Sequence, residues 1–189
     1  MGGSSAESQS ANAGDGSTFD GVGDGFDVLN YINFQWDVVS PSEMSGRFIV
    51  KPKTAQPFGV LHGGVTAFLS ETLCSLGAQV VSQWARVAGI DLTVNHLQSA
   101  PIGTEVIAKA VPLRVGKRVQ VWDVRFSTPK TNSGSSSTEA QEFTTIAVAR
   151  LSLIIGLPDP EKARPGNEKL IAIARKNNVE LAPQVVSKL

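Results

Sequence analysis

Residues 65–85, VTAFLSETLCSLGAQVVSQWA, decide the fold. The stretch has helix length, follows a glycine pair, and carries apolar side chains on nearly every face. A helix that is hydrophobic all round is one that other elements cover. The flanking segments must therefore supply that cover.

Ahead of the helix, DVLNYINFQWDVVS (27–40) begins as a helical turn and passes into an extended stretch. GRFIVK (46–51) then alternates as a strand, with Phe48 and Val50 on one face and Arg47 and Ile49 on the other. From Gly89 the period shortens towards two. GIDLTVNHL (89–97), TEVIAKAVPLR (104–114), RVQVWDVRFS (118–127) and EFTTIAVARLSLII (142–155) read as four further strands. The connection SAPIG (99–103) and the turn at Val115-Gly116-Lys117 predict sequential antiparallel pairing. TPKTNSGSSSTEAQ (128–141) reads as a polar loop. One long buried central helix wrapped by a curved antiparallel sheet is the economical α+β solution, the hotdog fold.

The chain ends differ from this domain. Residues 1–25 are Gly, Ser, Asp and Asn with little to bury and read as a disordered tail. The hotdog domain is expected over 26–156. A C-terminal extension follows over 157–189, with a short amphipathic helix starting at Pro165 or Asn167. Lys plus Arg and Asp plus Glu each number 17, a formal net charge of zero, which argues against broad capture of nucleic acid or anionic membrane. No uninterrupted apolar run approaches the roughly 20 residues of a membrane span. The single cysteine, Cys74, excludes an internal disulfide and reads as packing.

The chemistry lies in QPFGVLHGG (56–64) and the helix behind it. Glu71 stands mid-helix among apolar residues, where an unpartnered carboxylate costs several kcal/mol. Ser75, one turn on, shares its face and can reach that carboxylate. Gly63 and Gly64 sit where the helix begins, with unpaired N–H groups and partial positive charge suited to polarise a carbonyl oxygen. The plain alternative is a glycine pair that only makes the turn. Gly63 and Glu71 are eight residues apart, about 12 Å at about 1.5 Å per residue. One reacting carbonyl cannot touch both. If both act on one thioester they come from different subunits, which predicts a homo-oligomer with two sites at a two-fold dimer interface. Two histidines, His62 and His96, without a matching Cys or acidic cluster predict no metal site. Trp122 and Phe68 read as core or interface. Lys117 and Arg118, in a turn between strands, suit the phosphates of a nucleotide-bearing substrate, or form a solvated basic turn.

With those intervals, Gln56, His62, Gly63, Glu71 and Ser75 resemble the active-site pattern of the PaaI-like and 4-hydroxybenzoyl-CoA type hotdog thioesterases, over about residues 28–156. The resemblance implies acyl-CoA hydrolysis with no cofactor, coenzyme A being part of the substrate. It implies that Glu71 attacks the thioester carbon or activates water, that the Gly63 amide polarises the carbonyl, and that Gln56 orients the reacting groups. His62 would position the loop and substrate, and His96 would contact the acyl group. Ser75 stands where the family often has Thr, which keeps the hydroxyl. The expected assembly is a homotetramer built from two such dimers.

Ser187-Lys188-Leu189 at the end reads as a peroxisomal address for the import receptor. With it, QPFGVLHGGVTAFLSETLCSLGA, RVAGIDLTVNHLQSA and GKRVQVWDV resemble the plant peroxisomal 1,4-dihydroxy-2-naphthoyl-CoA thioesterases of the phylloquinone (vitamin K1) route. A thioesterase for medium or long fatty acyl-CoA, or a hotdog protein that only binds acyl-CoA, are the competing readings.

Overall fold

Two strands precede the long helix and four follow it in the computed structural model, which describes residues 27–130 and 142–158. The chain-end tail, most of the polar loop, the predicted helix near Asn167 and the terminal tripeptide lie outside the described residues. In chain order the elements are α1 (Asp27–Tyr31), β1 (Gln35–Val39), β2 (Met44–Ile49), a single 3-10 turn (Pro52–Thr54), α2 (Gly63–Val81), β3 (Val87–His96), β4 (Glu105–Val115), β5 (Val119–Pro129) and β6 (Phe143–Ile155). The strands form one antiparallel sheet in the order β1-β2-β4-β5-β6-β3. The helix packs against β2 to β6, giving the hotdog fold.

Alternation builds the inner face. Phe48 and Val50 are buried while Ile49 stays exposed, as the pattern of GRFIVK predicts. Small inward residues on β4 (Ala108, Ala110) and β6 (Ala147, Ala149) let α2 approach closely, and Leu69, Leu73 and Leu76 fill the contact. Gly77 admits the Trp122 ring: a Cβ there would stand 2.5 Å from it. A mid-helix glycine costs about 1 kcal/mol against alanine. Full burial of the largest core side chain offsets that cost. On length and composition α2 would cross a membrane, but here its apolar side lies against the sheet.

The structure corrects the sequence reading in three places. First, SAPIG is no hairpin. β3 lies at the sheet edge beside β6, and β4 lies between β2 and β5, so the segment crosses between distant strands. Its backbone is committed to the loop ahead of the helix: Leu61 N–H donates to Ala100 O (2.8 Å), Ile102 N–H to Gly59 O (3.0 Å) and Gly103 N–H to Val50 O (2.8 Å). The β4–β5 hairpin at Gly116 forms as expected. Second, the helix ends at Val81 instead of running to Ala85. Gln83 (φ 55) and Trp84 (φ 66) adopt the left-handed conformation, which turns the chain back and buries the Trp84 indole. Third, one chain covers α2 on the sheet side alone. Ala67, Glu71, Thr72, Ser75 and Gln79 form a half-open stripe, with Phe68 beside it packed against the edge of the core.

Candidate active site

The start of α2 is assembled by a knotted set of short contacts. Ala55 and Leu61 bridge, and Gln56 N–H donates to Val60 O (2.8 Å), closing a loop whose tip carries exposed Phe58. Gly59 at φ 74 makes that tip possible, since a left-handed residue with a Cβ is strained. His62 then caps the helix: its Nδ1 accepts from Gly64 N–H at 2.8 Å. This fits the loop-stabilising role for His62, and the neutral ring carries its proton on Nε2. It also commits the Gly64 donor inside the chain. The Gly63 N–H, by contrast, has no acceptor among the described residues, so that donor is uncommitted within the chain.

His96 closes the other side of this corner. Its ring lies directly on Gly63, where a Cβ would come within 2.9 Å of it. Thr66 Oγ1 donates to Gly63 O (2.7 Å) and lies 2.8 Å from His96 Nε2. The hydroxyl proton being spent on the carbonyl, Nε2–H is the donor to Thr66, and Nδ1 remains an acceptor. Gln56, Gly63, Thr66, His96 and Gln98 line a cleft of about 430 Å³. Thr66 escaped the sequence reading, although a threonine in the first turn of an otherwise apolar helix is a visible signal.

Glu71 does not line that cleft. Its carboxylate leaves the half-open stripe of α2 and rests on β3, over Gly89. Ser75 Oγ donates to Oε1 at 3.3 Å, the one hydrogen bond to this carboxylate among the described residues. Beneath it the β3–β6 register slips: Gly89 pairs with Leu153 and Asp91 with Ser152, leaving Ile90 as a bulge that is 60% exposed. The bulge has a geometric effect. Gly89 and His96 are seven residues apart, and in a regular strand an odd spacing puts residues on opposite faces. The extra residue turns both towards the helix. Cys74, buried behind Glu71, offers no competing nucleophile. Burial, with the nearby Glu71 and Asp123 charges, pushes its thiol well above the usual range, so it stays protonated.

Within one chain the two groups of candidate residues therefore lie apart, at opposite ends of β3. Lys117 and Arg118 belong to the Glu71 end. Val119, next to them, pairs with Ile154, whereas His96 pairs with Ala147. These positions are seven residues apart on β6, about 23 Å along the strand at about 3.3 Å per residue. Both cations are exposed. Among the described residues no three His, Cys, Asp or Glu side chains gather as metal ligands.

A carboxylate on the open face of a helix, with a donor at the helix start and a hotdog sheet behind, defines the class of acyl-thioester hydrolases. A family model described as the thioesterase superfamily matches residues 58–135. The chain is 37% identical over 149 residues to 1,4-dihydroxy-2-naphthoyl-CoA thioesterase 2 of Arabidopsis thaliana, covering 78% of this chain and 91% of that protein. It is 29% identical over 104 residues to the 1,4-dihydroxy-2-naphthoyl-CoA hydrolase of Escherichia coli, covering 54% and 75%. A Haemophilus influenzae thioesterase of known crystal structure superposes with TM-score 0.57 at 29% identity, over 71% of this chain and 86% of that one. This chain belongs to the thioesterase superfamily.

Proposed function

We propose that the protein hydrolyses an aromatic acyl-CoA, 1,4-dihydroxy-2-naphthoyl-CoA, to the free acid and coenzyme A. The observation that carries this reading is the division of the machinery: an uncommitted Gly63 N–H at the start of α2, and Glu71 on the open stripe of the same helix. Neither half suffices alone. β3 is an edge strand ten residues long, and an unpaired edge is a template for a second copy. A two-fold pairing there, with α2 against α2 antiparallel, carries Glu71 of one copy to the Gly63 end of the other.

In that composite site the thioester carbonyl oxygen accepts from Gly63 N–H, which stabilises the charge that develops on it. Gln56 and His96 line the acyl side. Glu71, held by Ser75, attacks the carbonyl carbon itself or takes a proton from the water that does. The C–S bond breaks, and the thiolate leaves and is protonated. Where Glu71 attacks, the mixed anhydride it forms is then cleaved by water to free the acid and the carboxylate; where water attacks, its oxygen enters the acid directly. Water is the single co-reactant, so no metal or redox cofactor enters the scheme. Lys117 and Arg118, on the Glu71 end, suit the phosphates of coenzyme A. The choice of acyl group is supported by the names of the Arabidopsis and E. coli relatives. The proposal extends to a homotetramer built from two such dimers. It extends also to a peroxisomal location through Ser187-Lys188-Leu189, which lies outside the described residues.

Thiol release from 1,4-dihydroxy-2-naphthoyl-CoA, benzoyl-CoA and palmitoyl-CoA tests the reading. The naphthoyl thioester is expected to turn over fastest, and Glu71→Gln to lower kcat by on the order of 10³-fold. Faster turnover of palmitoyl-CoA would overturn the acyl assignment. Undiminished turnover in Glu71→Gln would remove Glu71 from the chemistry.

A further inference from the structure

The glycine beneath Glu71 is not there for its backbone. Gly59, Gly103 and Gly156 have positive φ, but Gly89 does not, so an L residue would adopt its conformation without strain. What it cannot do is fit. A Cβ at position 89 would stand 2.5 Å from Oε1, 2.7 Å from Oε2 and 2.9 Å from Cδ of Glu71. The near equality of these distances means that the carboxylate faces position 89 broadside, with both oxygens in the space a Cβ would need.

We propose that Gly89 is a positioning residue for the reaction: its missing side chain forms the seat that sets the height of the Glu71 carboxylate above β3. The inference deepens the proposed function and rests on Glu71 acting in hydrolysis. Two contacts fix the carboxylate. Ser75 Oγ holds Oε1 from the helix side, and on the sheet side the group occupies the space that a side chain at position 89 would fill. The Ile90 bulge is what aims this seat at the helix. Ordinary contact with a Cβ begins at 3.4 Å. A side chain at position 89 therefore lifts the carboxylate by about 1 Å, and a misplacement of that size costs on the order of 10²-fold in rate. The effect falls on kcat, since position 89 is not part of the acyl cleft.

The test is a cycle of Gly89→Ala, Glu71→Ala and the double variant in the full chain, read by thermal unfolding and by kcat and KM. Gly89→Ala is expected to lower the unfolding midpoint by about 4 °C and kcat by on the order of 10²-fold, with KM within about twofold. In the double variant the midpoint should return to that of Glu71→Ala, because the colliding carboxylate is gone. A wild-type midpoint and kcat in Gly89→Ala would overturn the seat. A midpoint loss that persists in the double variant would overturn it too, since the clash would then lie elsewhere. If Gly89→Ala yields no folded protein, recovery of folded protein in the double variant supports the seat and failure to recover overturns it. Coupled stability together with full activity in Glu71→Gln would remove the catalytic reading and leave the seat standing.

Discussion

The start and the middle of α2 are built on opposite plans. At its start the chain is tied to itself: His62 caps Gly64, Thr66 bridges Gly63 and His96, and the segment through Ala100 and Pro101 laces the preceding loop. In the middle, Glu71 has one hydroxyl and a bare strand backbone. The polarising half is thus rigid because several strands and loops determine it. The carboxylate half is determined by two residues, Ser75 and Gly89, and the stripe around it is half-open. Damage at the helix start should spread through the fold. Damage around Glu71 should stay with the chemistry.

Inserting one residue between Leu92 and Thr93 is the strongest way to break this contrast, because it attacks the connection between the halves. With the Ile90 bulge retained, the added residue sends either Gly89 or His96 to the outer face of the sheet. Turnover is expected to fall by on the order of 10³-fold, with the fold retained by circular dichroism. Activity within tenfold of wild type would show that the halves need not share a face. Thr66→Val keeps the shape but removes the hydroxyl between His96 and the Gly63 carbonyl. It should cost about 1 kcal/mol in denaturant unfolding as well as lowering kcat about tenfold. A purely kinetic effect would contradict the account of a self-tied corner. Ser75→Ala is the mildest. It should lower kcat about fivefold and leave stability within about 0.5 kcal/mol. A loss of stability larger than that of Thr66→Val would reverse the comparison.

Most of the fold was open to a reader of the sequence, because alternation and an all-round apolar helix are local signals. All four strands after the helix lie where their period placed them. What stayed hidden depends on contacts between distant segments. SAPIG has the composition of a turn, yet its backbone hydrogen bonds go to residues 50 and 59–61, which no local pattern reveals. GIDLTVNHL likewise groups Ile90 with Leu92 and Val94 by strict alternation. The structure turns Ile90 outward and Gly89 inward, since a carboxylate from another element occupies the space above position 89. A glycine inside a strand was the available sign, for it marks bulges and close approaches. The motif residues Gln56, His62, Gly63, Glu71 and Ser75 were legible as a set. Thr66 and Gly89, which hold their neighbours in position, carry no motif of their own.

The bulge on β3 also works as a parity bit. With the bulge kept, a change in the length of the strand between Gly89 and His96 by one residue moves one of the two positions to the other side of the sheet. A change by two keeps both facing the helix and shifts them by about 6.6 Å along the strand. Lineages or designs that resize this strand therefore move in even steps, or in an odd step that removes or adds a bulge.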